Sequence, residues 1–326
     1  MSTLQTSIVF LDAATYGDTS LARFTDRWQC TTHQVADPAE TTKRLEGHAV
    51  AITNKVVIDR AVLHSNEARY LKLVAVAATG TDIIDKEAAA QRGIAVCNVP
   101  GYATQSVAQF TMALILQLAT WAGRYADAVK AGEWQKSPVF SLLTYPTVEL
   151  NGKKLGVVGY GNIGQAVARM ARGFGMDVLV AARPGNAAPA PAERLPLDRL
   201  LREADVISLH CPLTPETKNL INQQTLSSMK PTAFLINTAR GALIDEAALI
   251  VALREKRIAA AALDVISEEP PRAEHPIIQA AGRLDNLIVT PHTAWSAREA
   301  RERLLDEVAA NISAFLAGAP RNVVKQ

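Results

Sequence analysis

Residues 155–172 read LGVVGYGNIGQAVARMAR, and this stretch decides the fold class. A short apolar run, Leu155–Val158, precedes the pattern GxGxxG at 159–164, and residues of helical composition follow over Gln165–Arg172. A strand that turns through three glycines into a helix is typical of the phosphate-binding turn of a dinucleotide fold. The stretch therefore predicts a βαβ unit that binds a dinucleotide.

Each glycine of this pattern has a separate physical task. Gly159 permits the tight turn, Gly161 lets the backbone approach a pyrophosphate, and Gly164 allows the helix to pack closely on the strand. The start of the helix also offers unpaired N–H groups and the positive end of its dipole to phosphate oxygens. We therefore interpret the whole turn as cofactor-binding: Gly159, Tyr160, Gly161, Asn162, Ile163 and Gly164.

Apolar runs rich in valine and isoleucine alternate with helical segments on both sides of this turn. Six such runs lie between residues 155 and 290, the count of a doubly wound dinucleotide fold. Strands that alternate with helices form parallel sheets covered on both faces. Four more runs precede residue 100: Ser7–Leu11, Ala49–Thr53, Leu73–Ala77 and Ile94–Asn98. The sequence therefore predicts an α/β protein with two Rossmann-like, doubly wound parallel-sheet domains.

Two long helical stretches connect these α/β units. One runs from about Gln105 to Lys130, and the other runs from Ala297 to about Leu316, after the last predicted strand. Two long helices indicate that the chain crosses between the units twice. We expect the terminal helix to pack on the N-terminal unit, which makes that domain discontinuous.

Composition and charge exclude several classes of function. The 326 residues carry 34 Lys+Arg and 32 Asp+Glu, a formal net charge of +2 without a long run of one sign, so we expect no nucleic-acid partner. The cysteines Cys30, Cys97 and Cys211 form no CxxC pair and predict neither a disulfide framework nor a zinc site; we expect Cys211 to be a buried thiol. The N-terminus has no basic leader, and the most apolar helical stretch, Met112–Ala119, is too short to span a bilayer. A cytoplasmic protein without a membrane or metal partner is expected.

The end of the next strand after the glycine turn bears on the choice of cofactor. An acidic residue at this point holds the adenosine ribose of NAD, but the sequence has Ala182 followed by Arg183. A missing carboxylate removes the repulsion of a 2′-phosphate, and a guanidinium pairs with phosphate through two N–H groups. This favours NADP over NAD; the alternative interpretation is that Arg183 points into solvent.

Three polar residues follow the last three predicted strands. Arg240, Glu269 and His292 lie at carboxyl ends of strands, the edge where open α/β sheets bind ligands. Reduction of a 2-oxo acid requires a cation for the carboxylate and carbonyl, an acid for the developing alkoxide, and a group that orients this acid. Each residue alone has a structural interpretation, but together they match these three requirements and we interpret them as catalytic.

Longer motifs resemble a known family over nearly the whole chain. They are GYGNIGQAVA (159–168), LHCPLTPETKNLI (209–221), INTARGALIDEAAL (236–249), LDVISEEP (263–270) and TPHTAW (290–295). The chain is similar to the D-isomer-specific 2-hydroxyacid dehydrogenases, in particular to their glycerate dehydrogenase, hydroxypyruvate reductase and glyoxylate reductase branch.

The resemblance implies a role for each matching residue. It implies substrate binding by Arg240, orientation of the histidine by Glu269 and acid–base catalysis by His292. The implied substrate-binding residues are Thr79, Gly80, Arg240, His292 and Trp295. Beyond the glycine turn, the implied cofactor-binding residues are Thr104, Ala182, Arg183, His210, Cys211, Pro212, Thr238, Ala239 and Asp264, of which Asp264 holds the nicotinamide carboxamide.

The resemblance also implies the arrangement of domains and subunits. A substrate domain is expected over 1–101 and 293–326, and a dinucleotide-binding domain over 102–292. A homodimer is expected through the helical region after Gly101. The apolar stripe of Phe110, Met112–Leu116 and Leu118 fits an interface there, although such a stripe is more often core.

The implied activity is reduction of small 2-oxo acids, hydroxypyruvate and glyoxylate, to D-glycerate and glycolate. From Ala182 and Arg183, which depart from the acidic residue of NAD-dependent relatives, we expect NADP to be the preferred cofactor, with NAD as the alternative. Two alternatives stay open. One is an NAD-dependent relative that acts on D-lactate or bulkier acids, and the other is a dinucleotide-sensing regulatory protein, which the three retained catalytic residues disfavour.

Overall fold

A computed structural model of the protein describes residues 6–35, 37–183 and 194–324. The strands are β1 (Ser7–Phe10), β2 (Gln29–Thr32), β3 (Val50–Thr53), β4 (Leu73–Val76), β5 (Ala95–Cys97), β6 (Lys154–Val158), β7 (Asp177–Val180), β8 (Val206–Leu209), β9 (Phe234–Asn237), β10 (Ala260–Leu263) and β11 (Leu287–Val289). The helices are α1 (Ala22–Thr25), α2 (Thr41–Arg44), α3 (Arg60–His64), α4 (Lys86–Gln91), α5 (Thr104–Thr120), α6 (Ala122–Lys130), α7 (Asn162–Gly173), α8 (Leu197–Glu203), α9 (Gln223–Ser227), α10 (Glu246–Arg254), α11 (Pro276–Ala281) and α12 (Arg298–Leu316).

The chain divides into two compact units. Unit 1 comprises Met1–Ala103 and Ser296–Gln326, and unit 2 comprises Thr104–Trp295. The sequence predicted domain boundaries after residues 101 and 292, and in the structure the boundaries between the units lie after Ala103 and Trp295. Each unit is built on one parallel sheet with helices, so the predicted fold class is confirmed.

Unit 1 has a five-stranded sheet in the order β2-β1-β3-β4-β5. Strands β3 and β4 are buried along their whole length, which explains why all their residues but Thr53 are apolar. The sequence did not predict β2, because its residues QCTT form no apolar run. As an edge strand it is mostly exposed and pairs only with β1.

Unit 2 has a six-stranded sheet in the order β11-β10-β9-β8-β6-β7, with every pairing parallel. Beyond β7, Leu195 forms a single parallel bridge with Ala181. The chain runs from β6 to β7 on one side and then to β8 on the other, so the carboxyl end of β6 is a topological switch point. Open α/β sheets bind ligands at such points.

The long helix predicted over 105–130 is two helices. Trp121 separates α5 from α6 with a left-handed φ of 54°, and its indole Nε1 donates a hydrogen bond to Pro146 O at 2.9 Å. The nearest glycine, Gly123, lies two residues after Trp121, and the sequence analysis did not predict the break.

The apolar stripe on α5 is largely core. Met112, Leu114, Ile115 and Leu118 are at most 4% exposed and pack in a cluster with residues of α7 and the unit 2 sheet. The expectation that this stripe forms a subunit interface is therefore wrong for its buried members. A second cluster packs α8, α9, α10 and α11 on the same sheet, so both faces of the sheet are covered.

Three properties of the described residues bear on membranes, metals and thiol chemistry. No helix among them is long and apolar enough to cross a membrane. The same residues contain no group of three or more histidine, cysteine or acidic side chains placed to hold a metal ion. Cys211 is 4% exposed and free, which confirms the prediction of a buried thiol.

Candidate active site

The glycine turn lies at the switch point, at the end of β6. Gly159 has a left-handed φ of 96°, and a Cβ atom there would overlap the backbone of Cys211. A Cβ atom at Gly164 would overlap Gly159 O, so only glycine lets α7 pack on the turn. Gly161 is the N-cap of α7 and has no atom within 4 Å of the place of a Cβ. Open space in front of a helix N-terminus fits the pyrophosphate of a dinucleotide.

A cleft of about 630 Å³ lies over this turn. Seven predicted cofactor-binding residues line it: Gly159, Tyr160, Gly161, Arg183, His210, Cys211 and Pro212. Five further lining residues were not predicted: Ala181, Arg194, Thr214, Glu216 and Thr217. Among the other predicted residues, Asn162, Ile163 and Gly164 form the first turn of α7, and Thr104 is the first residue of α5.

Two arginines, Arg183 and Arg194, line the cleft. Ala182 N donates to Leu195 O at 2.7 Å, and Leu195 N donates to Val180 O at 2.8 Å, so this pairing holds Arg194 beside the end of β7. The sequence predicted Arg183 because this residue follows a strand. It did not predict Arg194, because only the pairing of two separate segments brings this residue to the cleft.

His210 and Cys211 form a neutral wall of the cleft. His210 N donates to Val158 O at 2.7 Å, and its ring Nε2 is hydrogen-bonded to Ser208 Oγ at 2.8 Å. Burial lowers the pKa of the His210 imidazole to about 4, and burial raises the pKa of the Cys211 thiol to about 11. Both side chains are therefore uncharged near neutral pH.

The turn after β9 carries Arg240. Asn237 is fully buried; its Nδ2 donates to Arg240 O at 2.8 Å, and its Oδ1 accepts from Ala239 N at 3.0 Å. Arg240 Nη1 donates to Ala239 O at 2.8 Å. Thr238 Oγ1 lies 3.0 Å from Thr111 Oγ1 on α5. These bonds fix the backbone of the turn, so the start of the Arg240 side chain has a defined position.

Glu269 and His292 form a close pair. His292 Nδ1 lies 2.6 Å from Glu269 Oε2, and Glu269 Oε1 accepts from Ile266 N at 3.0 Å. The side chains of His292 and Glu269 are 25% and 30% exposed, so the pair is accessible to a ligand. His292 has a left-handed φ of 52°. This conformation is uncommon outside glycine and occurs often at functional sites.

Asp264 holds the segment that carries His292. Its carboxylate is 1% exposed and accepts from Thr290 Oγ1 at 2.6 Å, Thr293 N at 2.9 Å and Ala294 N at 2.9 Å. Asp264 O also accepts from His292 N at 2.8 Å. The aspartate therefore ties the end of β10 to the segment after β11, and its predicted contact with nicotinamide stays a prediction.

The segments after β9 and β10 touch through a glycine. A Cβ atom at Gly241, next to Arg240, would overlap the carbonyl group of Ile266. The turn with Arg240 therefore packs directly on the loop with Glu269. Since β9, β10 and β11 are adjacent and parallel, the three predicted catalytic residues follow neighbouring strands at one edge of the sheet.

The remaining predicted substrate-binding residues lie elsewhere in the chain. In unit 1, Thr79 and Gly80 follow β4; Thr79 Oγ1 donates to Val99 O at 3.0 Å, and Asn98 Nδ2 donates to Thr79 O at 2.7 Å. Trp295 is half-buried and is the last residue of unit 2. The roles of Thr79, Gly80 and Trp295 stay predictions.

Comparison with known proteins identifies the family. Residues 112–294 match the family model described as D-isomer specific 2-hydroxyacid dehydrogenase, NAD binding domain. The chain is 43% identical to the glycerate dehydrogenase of Methylorubrum extorquens over 88% of this chain and 89% of that one. It is 38% identical to the hydroxypyruvate reductase of Blautia hydrogenotrophica over 90% and 89%. A solved acyclic imino acid reductase in complex with NADPH and D-Arg has a TM-score of 0.84 at 29% identity and covers 98% of this chain and 100% of its own.

The parallel-sheet fold and the glycine turn agree with these matches. Together they define the protein as an oxidoreductase with an NAD(P)-binding domain. The protein belongs to the family of D-isomer-specific 2-hydroxyacid dehydrogenases, as the sequence motifs predicted.

Proposed function

We propose that the protein reduces hydroxypyruvate and glyoxylate to D-glycerate and glycolate, with NADPH as the preferred hydride donor. The observation that carries this proposal is the pair of Glu269 and His292 at the sheet edge that also bears the glycine turn. The names of relatives at 38–43% identity support this substrate class, since they are a glycerate dehydrogenase and a hydroxypyruvate reductase.

The residues of the chain act on the substrate in three ways. When bound, the cofactor supplies the hydride that reduces the carbonyl carbon. Protonated His292 donates the proton of Nε2 to the carbonyl oxygen, because Nδ1 is engaged by Glu269. The Glu269 carboxylate keeps the imidazole in this orientation. Arg240 binds the substrate carboxylate and carbonyl, and Thr79, Gly80 and Trp295 complete the proposed substrate-binding set.

The NADPH preference rests on the charges around the end of β7. Ala182 offers no carboxylate to a ribose, whereas Arg183 and Arg194 both line the cleft. Guanidinium groups pair well with a 2′-phosphate. Glu216 lines the cleft too, and a hydrogen bond with Thr214 lowers the pKa of its carboxyl, so one negative charge offsets part of this attraction.

We assign dinucleotide binding to the predicted domain over 102–292 and substrate binding to 1–101 with 293–326, and we propose that the protein is a homodimer. Between α6 and β6 the apolar side chains of Phe140 and Leu143 are 92% and 83% exposed. Large exposed apolar side chains that are close in the chain, as these two are, favour an interaction surface. The segment follows the helical region where the sequence predicted the interface.

Steady-state kinetics test the proposed activity. Hydroxypyruvate, glyoxylate, pyruvate and phenylpyruvate are each assayed with NADPH and with NADH. We expect the highest kcat/KM for hydroxypyruvate or glyoxylate with NADPH. A higher kcat/KM for pyruvate or phenylpyruvate would identify a dehydrogenase of other acids, and the absence of turnover with cofactor binding retained would favour the regulatory alternative.

A further inference from the structure

A second carboxylate reaches the loop that carries Glu269. Glu246 is the first residue of α10, and its Oε1 accepts a hydrogen bond from Ser267 N at 2.7 Å. Its Oε2 accepts from Ser267 Oγ at 3.0 Å. Both oxygens of one carboxylate therefore hold one residue of the loop, which restrains both the backbone and the side chain of Ser267.

The connection continues from Ser267 to His292 in two short steps. Ile266 precedes Ser267, and its N–H donates to Glu269 Oε1 at 3.0 Å. The other oxygen of Glu269 lies 2.6 Å from His292 Nδ1. The Ile266–Ser267 peptide is also in direct contact with Gly241, where a Cβ atom would overlap the Ile266 carbonyl group. The N–H that binds Glu269 belongs to Ile266, the residue bonded to Ser267, so a shift of Ser267 and Ile266 would move the Glu269 carboxylate.

The burial of Glu246 strengthens its hydrogen bonds to Ser267. The Glu246 side chain is 12% exposed, and the nearby His275 side chain is 5% exposed. His275 Nε2 lies 3.4 Å from Ser267 Oγ and 3.7 Å from Glu246 Oε2. Burying a carboxylate is unfavourable unless it is hydrogen-bonded, and hydrogen bonds to a charged acceptor are stronger than neutral ones. Displacing Ser267 would leave this carboxylate poorly satisfied.

We propose that Glu246 and Ser267 are positioning residues for Glu269. They hold the loop so that the Glu269 carboxylate meets His292 Nδ1, and their effect on catalysis passes through Glu269. The inference rests on the proposed function, in which His292 donates the proton. Small displacements of a catalytic group lower rates strongly, and a 1 Å error costs on the order of 100-fold.

The test compares Glu246→Ala and Ser267→Ala with a matched control. Glu87→Ala removes a first-turn carboxylate from α4, which has an aspartate N-cap like α10 but lies in unit 1. We expect Glu246→Ala to lower kcat about tenfold, with the Kd of NADPH within about twofold of wild type. We expect Glu246→Gln to recover most of the rate, because its amide oxygen still accepts from Ser267 N. The control should keep the wild-type kcat.

A split between kcat and KM and a double-mutant cycle separate positioning from a general structural role. Glu246→Ala should lower kcat for reduction while the KM for hydroxypyruvate stays within about twofold of wild type. In the Glu269→Gln background, Glu246→Ala should lower kcat by less than about twofold, because residues that act through one another are non-additive. Independent, multiplying losses of kcat would overturn the inference.

Two further results keep the outcomes distinct. If Glu246→Ala does not fold, as judged by circular dichroism, Ser267→Ala replaces it, because this variant keeps the backbone hydrogen bond to Glu246. If Ser267→Ala lowers kcat in the wild-type background but not in the Glu269→Gln background, the inference is supported. A wild-type kcat for Ser267→Ala overturns it.

If wild type reduces no 2-oxo acid or His292→Ala is fully active, the proposed function fails. If both expectations hold but Glu246→Ala matches Glu87→Ala, only the positioning inference fails.

Discussion

At the scale of single residues, the proposed chemistry depends on one imidazole. His292→Ala removes the proton donor, so kcat for reduction should fall about 10²–10⁴-fold, the usual contribution of general acid catalysis. The Kd of NADPH should change little, because the glycine turn and the arginines are untouched. Stopped-flow or steady-state rates with hydroxypyruvate measure the first quantity, and fluorescence titration measures the second. A variant with near-wild-type kcat would remove His292 from the mechanism.

The partner of this imidazole makes a prediction about orientation. Glu269 Oε2 lies 2.6 Å from His292 Nδ1, so the carboxylate orients the ring and leaves Nε2 for proton donation. Glu269→Gln weakens this contact, because an amide oxygen is a weaker acceptor than a carboxylate, and kcat for reduction should fall by up to about 100-fold. Steady-state rates with hydroxypyruvate measure this loss. A wild-type kcat in Glu269→Gln would show that Glu269 does not act on the histidine.

At the scale of elements, the proposed cofactor preference depends on the end of β7. A hydrogen bond to a charged group is worth about 1.5–3 kcal/mol, which corresponds to about a ten- to hundredfold preference for NADPH in kcat/KM. Arg183→Ser and Arg194→Ser should each reduce this preference, and Ala182→Asp combined with Arg183→Ser should reverse it. Arg172→Ser on α7 is the control, since Arg172 is exposed and is not among the residues that line the cleft. Equal use of NADH by the wild type would refute the preference.

The end of β8 makes a prediction about stability. The pKa of His210 is about 4 in the folded protein, against an ordinary histidine value of 6.5, so the unfolded chain binds the proton first on acidification. The folded protein should therefore lose stability from this group as pH falls from about 6.5 to about 4, by up to about 3 kcal/mol. His210→Gln lacks this group, so its calorimetric unfolding temperature should fall less steeply over that range. Parallel curves for the two proteins would show that His210 is not held neutral.

At the scale of the whole molecule, the exposed apolar segment between α6 and β6 predicts self-association. A dimer would have twice the 35.0 kDa of the chain. Phe140→Ser with Leu143→Ser should convert this species to a monomer, whereas Val57→Ser in unit 1, at a side chain 58% exposed, should not. Light scattering coupled to gel filtration measures the mass. A monomeric wild type would contradict the proposal.

Local patterns in the sequence were enough for much of the fold. Buried parallel strands such as β4 and β10 are continuous apolar runs, and Gly159 and Gly164 of the glycine turn have steric requirements that only glycine meets. The edge strand β2 and the break at Trp121 carry no such signal. The exposed residues of β2 need no apolar pattern, and the left-handed conformation at Trp121 is accompanied by a hydrogen bond to the distant Pro146 O.

The sequence by itself determined the family, the parallel-sheet architecture and the three polar residues that follow β9, β10 and β11. These features depend on local spacing, and the carboxyl ends of adjacent parallel strands must meet at one edge. Three features were decided only by the tertiary structure. They are the contact between Glu269 and His292, the position of Arg194 in the lining of the cleft, and the hydrogen bonds between Glu246 and Ser267. Each of these joins segments far apart in the chain, and hydrogen bonds of this kind depend on where packing brings the segments, which no local pattern encodes.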